Sequence, residues 1–379
     1  MNYWTLAAVV LLACVGAWVV AARADEPQAK APVQADVRPL RIAVIGLVHG
    51  HVEGLLWQAT QRKDIEIVGV YEPNRGLFDR LAAKYGLDSK LYFADLPTML
   101  DACKPEAASV MTSIKDHRMA VEACAPRGVH TLLEKPLAFS NADAKRMAEL
   151  AATHRVHVLT NFETSWYASV REAKRLVDSG AMAPARHLVF RHGHKGPQEI
   201  GCSSEFLRWL TDPEENGGGA IVDFGCYGAV IATWMMNGQR PTSIVATAST
   251  LKPDVYPRVD DDATIVLNYP TATAVIQASW AWTHDNKEMD VHTEKGSIHA
   301  GRWDDLRLRE PDKESRAVKP PAKPAMLENE WTYLRHVVRG ECDVDPLSGI
   351  EMNVIAVEIL DAARMQVQEK QTHGNRGQP

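Results

Sequence analysis

Two short stretches of this chain carry side chains able to do chemistry together. The first is the apolar run His130-Thr131-Leu132-Leu133, which stops on Glu134-Lys135-Pro136. An apolar strand ending on a charged pair before a proline places Glu134 and Lys135 at the carboxyl end of the strand, the edge where open α/β sheets hold ligands. The second is Asp223 with Tyr227, just after Gly217-Gly218-Gly219. Residues four apart in a helical stretch leave from one face, and the glycines let backbone approach a ligand closely. Taken as residues alone, each has a plainer alternative: a solvated turn at Glu134-Lys135, and a buried tyrosine hydroxyl bonded to a helix-face aspartate.

These residues need a frame, and the chain supplies one upstream. Arg41 to Ile45 is a β-branched apolar run ending at Gly46, followed by Leu47-Val48-His49-Gly50-His51 and a helical pattern over residues 52–60. A strand, a glycine turn and a helix in this order aim helix amides at a pyrophosphate. Only Gly46 fits the G-x-G-x-x-G pattern; Val48 and His51 fall at the second and third glycines, and Gly50 takes over part of the close approach. A second strand, residues 65–71, ends at Glu72, the spacing at which an acidic side chain accepts from the adenosine ribose hydroxyls and favours NAD over NADP. Arg75 is near enough to hold a 2′-phosphate instead.

Strands at 41–46, 65–71, 107–112, 129–133 and 156–160 alternate with helices at 51–61, 75–85, 95–103, 117–126 and 141–153, which predicts a parallel doubly wound sheet closing near Leu159. A helix over 166–179 ends at Gly180, a strand follows at 187–191, and a helix is expected over 220–236. Strands near 241–250, 261–269, 272–282, 288–293 and 296–300 then run without intervening helices, so the second domain is an α+β unit with a large, mostly antiparallel sheet. A last helix, Ile350 to Gln368, packs on it. The expected boundaries are 39–159 and 160–379, after a Pro- and Ala-rich tether at 25–38.

At 379 residues, 46% hydrophobic and 24% charged, the composition is that of an ordinary two-domain globular chain. A formal net charge of −6 gives no footprint for nucleic acid. Residues 6–22 are almost unbroken apolar, and Ala22-Arg23-Ala24 has the small-x-small form of a cleavage site, so residues 1–24 read as an export signal and the protein as periplasmic or extracellular. No Lys or Arg precedes the run, and its length also suits an uncleaved anchor, the one arrangement that would bring membrane contact. Leu11-Leu12-Ala13-Cys14 has a lipoprotein form. Cleavage after Ala24 leaves Cys103, Cys124, Cys202, Cys226 and Cys342, none in metal-ligand spacing. His192-Gly193-His194-Lys195 has no partner at usable spacing and reads as a loop, so no metal is expected.

Several ordered stretches together resemble the Gfo/Idh/MocA family, named for glucose-fructose oxidoreductase, inositol dehydrogenase and a rhizopine catabolism protein. They are Ala43-Val44-Ile45-Gly46, Ala108-Ser109-Val110-Met111-Thr112 with His117 five residues on, Glu134-Lys135-Pro136, Asp178-Ser179-Gly180, and Gly217 to Tyr227. The resemblance runs from Pro39 to the last helix and implies a Rossmann-type NAD(P) domain, a sugar or glycoside substrate and a homo-oligomer formed through the C-terminal sheet. By it, Thr112, Ser113 and His117 line the nicotinamide half of the cofactor and Glu134 holds the ring. Asn161, counted with the cofactor-binding residues, opens Asn161-Phe162-Glu163, where family members often carry arginines. That departure bears on the substrate.

The resemblance also gives Tyr227 a role, because this position faces the nicotinamide and serves as proton acceptor. A tyrosine with a pKa near 10 needs a cation to act near neutrality. Lys135 is the cation expected to lower it, with Asp223 orienting the sugar and Trp166 stacking on it. An exported enzyme has no soluble NAD pool, so the cofactor is expected to stay tightly bound and to be restored within the cycle. Besides a carbohydrate oxidoreductase, this leaves a redox-assisted glycosidase and a non-catalytic sugar- or nucleotide-binding scaffold as alternatives.

Overall fold

The computed structural model describes residues 38–374, so the apolar N-terminal segment and the cleavage expected after it lie outside the described residues. The first sheet is parallel throughout and has the order β3-β2-β1-β4-β5-β6. Its strands are β1 (Leu40–Ile45), β2 (Ile65–Tyr71), β3 (Tyr92–Phe93), β4 (Ala107–Val110), β5 (His130–Glu134) and β6 (Val158–Asn161). The central strands are covered on both faces; Ile42, Ala43, Val44 and Ile45 are all fully buried, which is why they read as unbroken apolar runs rather than alternating ones. Chain order reverses between β1 and β4, and the crevice outside the strand ends there is the ligand address of such sheets.

The sequence pattern locates five of these six strands. It misses β3, a two-residue edge strand too short to show periodicity. It also ends the domain two residues early, since β6 pairs Asn161 with Glu134 of β5. That pairing sets the two side chains beside each other at the sheet's carboxyl edge.

The second sheet has the order β14-β13-β12-β11-β7-β10-β9-β8. It comprises β7 (Ala185–Gly193), β8 (Ser243–Ser249), β9 (Asp262–Asn268), β10 (Thr273–Ser279), β11 (Asn286–Thr293), β12 (Gly296–Ala300), β13 (Leu306–Arg309) and β14 (Arg316–Ala317). Only the β7–β10 pair is parallel. The expected single helix over 220–236 is two, Ala220–Asp223 and Gly225–Met235, broken at Phe224, where the stretch Pro213–Asp223 meets Gly225–Met235 at 60°. Asp260 fixes the start of the first helix: it accepts from the amides of Gly219 (2.8 Å) and Ile221 (2.7 Å), and a Cβ at Gly219 would stand 1.7 Å from the Asp260 carbonyl oxygen.

The chain after residue 320 ties the two domains together. Helix Glu330–Val338, in a stretch the pattern leaves as loop, returns to the first domain, where Trp331, Tyr333, Leu334 and Val337 join Leu40, Ile42 and Leu56 in one apolar cluster. The last helix, Ile350–Gly374, buries Val357 against the first core and Ile359 and Leu360 against the second. Asp361 on it accepts from the Asn141 amide at 2.5 Å, and Arg364 donates to the carbonyls of Gly217 and Phe139.

Candidate active site

The loop after β1 needs glycine at its first position. Gly46 has φ +78, and a Cβ there would lie 2.6 Å from Thr112 Cγ2. The loop is braced by Glu72, whose two oxygens accept from the amides of Leu47 (2.9 Å) and Asn74 (2.9 Å). Glu72 therefore has a structural task that its spacing does not reveal. Each oxygen keeps a second lone pair for a hydroxyl, and Glu72 lines a pocket of about 410 Å³ with Val48, Asn74, Ser113, Trp209 and Glu215. Arg75 is engaged by Asp79 at 2.8 Å and stacks 4.5 Å over the Tyr92 ring.

His49, Gly50 and His51 lead into helix Val52–Thr60, whose N-cap is His51. A lid from the second domain lies over this loop. Trp209 Nε1 donates to the Val48 carbonyl at 3.2 Å, a Cβ added at Gly50 would meet the Phe206 ring at 3.4 Å, and His49 meets the Phe206 ring edge-on at 5.0 Å. Burial, opposed by Glu134, pushes the His49 pKa down to about 3 and keeps the ring neutral.

Glu134 stands at the end of β5, almost fully buried. Its Oε1 accepts from Asn161 Nδ2 at 3.0 Å, and Asn161 Oδ1 accepts from Trp166 Nε1 at 3.1 Å. Trp166 is thus an anchor for the carboxylate as well as a wall of the second pocket, about 410 Å³, lined with His51, Asn161, Glu163, Trp303 and Glu330. Oε2 lies 3.2 Å from His51 Nδ1 and 4.0 Å from His49 Nε2. The first is an ionic contact without hydrogen-bond alignment, so Oε2 and His49 Nε2 both lack a hydrogen-bond partner among the described residues. Burial opposes the Glu134 charge, but His51 outweighs it, with the Asn161 hydrogen bond adding, and the carboxyl is held far below its usual range.

One residue on, two of the three ammonium donors of Lys135 are engaged. Its Nζ pairs with Asp223 Oδ1 and donates to the Asp223 carbonyl at 3.0 Å, while Asp223 Oδ2 accepts from Trp280 Nε1 at 2.8 Å. Both Asp223 oxygens are engaged, which positions Lys135; as at Glu72, each keeps a second lone pair for a hydroxyl. Lys135 Nζ lies 5.4 Å from the Tyr227 ring centroid. The expected depression of the Tyr227 pKa is not what the geometry yields. Burial raises it well above 10, with Glu163, Cys226 and Asp223 adding in the same direction, because the Lys135 charge is already balanced by Asp223.

His117 departs further from its expected place. It is fully buried, its Nδ1 meets the Leu137 carbonyl at 3.1 Å, and burial lowers its pKa to about 4. It supports the turn after Lys135 from behind. Thr112 Oγ1 donates to the Ser113 carbonyl at 2.9 Å, and Ser113 Oγ lies 3.2 Å from Glu215 at the first pocket.

The sequence reading missed two residues at Tyr227. Lys287 Nζ lies 5.8 Å from the Tyr227 ring and pairs with Glu163 at 2.8 Å, and Glu163 also holds Arg302 at 3.0 Å. His192 meets the Tyr227 ring edge-on at 5.5 Å, with its Nδ1 buried and unpartnered among the described residues. Register could have found both. Lys287 shares the buried face of β11 with Met289 and Val291, and His192 that of β7 with Leu188 and Phe190. A polar residue on an apolar face is the informative observation.

A nicotinamide dinucleotide fits this arrangement. The glycine turn, the uncapped helix start, a pocket on each side of the loop, and the orphaned buried atoms of His49 and Glu134 are what such a ligand would engage.

Comparison with known proteins agrees. Residues 40–162 match the oxidoreductase family model with an NAD-binding Rossmann fold, and residues 170–299 match the GFO/IDH/MocA C-terminal domain. A trans-1,2-dihydrobenzene-1,2-diol dehydrogenase of Xenopus tropicalis is 22% identical over 263 residues, 66% of this chain and 75% of that protein. Among solved structures, an aldose-aldose oxidoreductase from Caulobacter crescentus complexed with glycerol superposes with a TM-score of 0.72 at 20% identity, covering 88% of this chain and 98% of that one. An inositol dehydrogenase homolog from Azotobacter vinelandii complexed with NAD+ gives 0.74 at 16%, covering 88% and 96%. With both domain models matched in order along one chain, this protein belongs to the Gfo/Idh/MocA family of NAD(P)-dependent oxidoreductases.

Proposed function

We propose that this protein is a carbohydrate oxidoreductase acting at a CH–OH carbon of a sugar or glycoside, with Tyr227 exchanging the hydroxyl proton. The observation that carries the reading is the buried Lys135–Asp223 pair set against the Tyr227 ring at the carboxyl edge of the Rossmann sheet. A bound nicotinamide supplies the hydride acceptor. Lys135, held in place by Asp223, polarises the substrate oxygen. Tyr227 is protonated over the whole neutral range, so it is set up as the acid for carbonyl reduction, and as the base in oxidation it gains strength with rising pH. Lys287, next to the same ring, is the second cation available to the phenolate.

NAD is the preferred dinucleotide, because Glu72 lines the first pocket and Arg75 is occupied elsewhere. Export, from residues 1–24, goes with a tightly held cofactor that is restored within each cycle, and assembly is through the C-terminal sheet. The test has two parts. Acid extraction of the purified protein should release about one equivalent of NAD(H) per chain, and candidate sugars should change its absorbance near 340 nm. Tyr227→Phe should lower kcat by ~10²–10⁴-fold with little effect on KM. No bound or bindable dinucleotide would reject the reading; a pure KM effect would move Tyr227 from catalysis to binding.

A further inference from the structure

Three polar side chains crowd the start of helix Val52–Thr60: His49, His51 and Glu134, with one ligand atom from each within 4.8 Å of the others. At first sight this is a metal-ligand set, but the hydrogen bonding argues for another ligand. The His51 amide donates to His49 Nδ1 at 3.2 Å. The ring is neutral, so its single proton sits on Nε2, which makes Nε2 a donor with no lone pair for a metal. A metal-ligating histidine instead donates its other ring N–H to an acceptor. The positive end of the helix and the Lys135 ammonium also disfavour a cation here.

What remains is a buried donor and a buried acceptor facing each other across 4.0 Å, His49 Nε2–H and Glu134 Oε2, neither with a hydrogen-bond partner among the described residues. A phosphate or carboxylate cannot donate to Glu134 and is repelled by it. An ammonium cannot accept from His49. A hydroxyl does both, and an oxygen about 2.8–3.0 Å from each group closes a triangle on that base. We propose that His49 and Glu134 form a clamp for one hydroxyl of a bound polyol, with Asn161 and Trp166 fixing the Glu134 carboxylate so that Oε2 faces the clamp. The hydroxyl belongs either to the second ribose of the dinucleotide or to the substrate sugar in the adjoining pocket, whose Glu163 and Glu330 carboxylates and Trp166 and Trp303 rings suit a polyol. A histidine inside the turn, where glycines usually leave room, thus becomes a recognition element.

The inference rests on the function proposed above, and calorimetry on cofactor-stripped protein separates the two. The probes are ADP-ribose, ADP, and the sugars D-glucose, D-xylose and myo-inositol. His49→Phe keeps the ring packing against Phe206 and removes the donor; it should weaken ADP-ribose ~3–10-fold and leave ADP unchanged if the hydroxyl is the cofactor's. If it is the substrate's, ADP-ribose is unaffected and the sugar that binds is weakened instead. Glu134→Gln should cost ~10–100-fold on the same ligand, the double variant should be no worse than Glu134→Gln alone, and His49→Gln, which keeps an N–H, should recover part of the loss. Losses that simply add, or affinities within twofold for all probes, would overturn the clamp while leaving the dinucleotide reading intact. Failure of wild-type protein to bind ADP-ribose or any of the sugars would remove both.

Discussion

Glu134 and Lys135 are neighbours at one strand end, yet they live in opposite conditions. Lys135 is paired and fixed: it has a carboxylate partner, a carbonyl acceptor and, behind them, Trp280 holding the Asp223 carboxylate. Glu134 is held by one hydrogen bond from Asn161, while its other oxygen faces a histidine that is also unsatisfied. Leaving a buried polar atom unpaired costs about 1–3 kcal/mol. Around the strand end itself, the fold therefore spends stability on Glu134 and His49 and none on the Lys135–Asp223 pair. On the proposed reading, the proton-transfer side has its lysine positioned before any ligand arrives, and the gripping side is left for the ligand to complete.

The most direct way to break this contrast is at Lys135. A solvent-facing strand-end lysine would add little stability, and the sequence alone suggests nothing more. In the structure Lys135 is 7% exposed and Asp223 6%, so Lys135→Met leaves an uncompensated buried carboxylate, which costs about 3–5 kcal/mol. Denaturant melts should show that loss. Lys135→Met combined with Asp223→Asn removes the stranded charge while keeping an acceptor for Trp280, and should regain most of it. A single variant as stable as wild type would show that the pair is not buried as described.

Smaller, and on the loop side, is the effect of Glu72→Gln. The new amide keeps the shape of the carboxylate but turns one of its two acceptors into an N–H facing the amide of Leu47 or Asn74. Stability should fall by about 1–3 kcal/mol, and nucleotide affinity should fall with it as the Gly46 turn loosens. If Glu72 serves recognition alone, affinity changes and the melt does not.

How far the sequence leads depends on whether a position is determined locally. Gly46, Glu134 and Lys135 are legible because a strand, a turn and a proline mark them within a few residues. The doubly wound sheet is legible for the same reason: its strands are apolar runs separated by helical periods. The break at Phe224 is not, because residues 220–235 form an apolar helical pattern, and the Asp223 carbonyl beside the break is taken by Lys135 from far along the chain. Helix Glu330–Val338 escapes because its apolar face serves the other domain's core. The Asp223 role is lost for a similar reason, since Trp280 and Lys135 reach it from β10's end and β5. Lys287 and His192 stood in apolar registers, and counting every second residue would have exposed them.

The gentlest probe of the comparison is pH, read through His51. Burial disfavours its cation, but Glu134 outweighs burial and raises the pKa above the ordinary 6.5; Lys135 opposes the rise and Glu163 adds to it. Glu134 is depressed from 4.5, against burial, chiefly by His51. His49 is neutral here, and Glu330, on the facing helix, has its own pKa raised by burial. The signs follow from linkage. A histidine with a raised folded-state pKa contributes its full stabilisation below about 6.5 and loses it as pH rises through the folded value. A carboxylate with a depressed pKa contributes above about 4.5 and loses it as pH falls. The pair is therefore worth most between about pH 4.5 and 6.5. Because His51 is 53% exposed, solvent screening keeps its share under about 1 kcal/mol. Wild type and His51→Ala should differ in stability at pH 5.5 and converge by pH 9. A difference that grows with pH would mean that His51 acts through packing, and that Glu134 waits for its ligand without help from that charge.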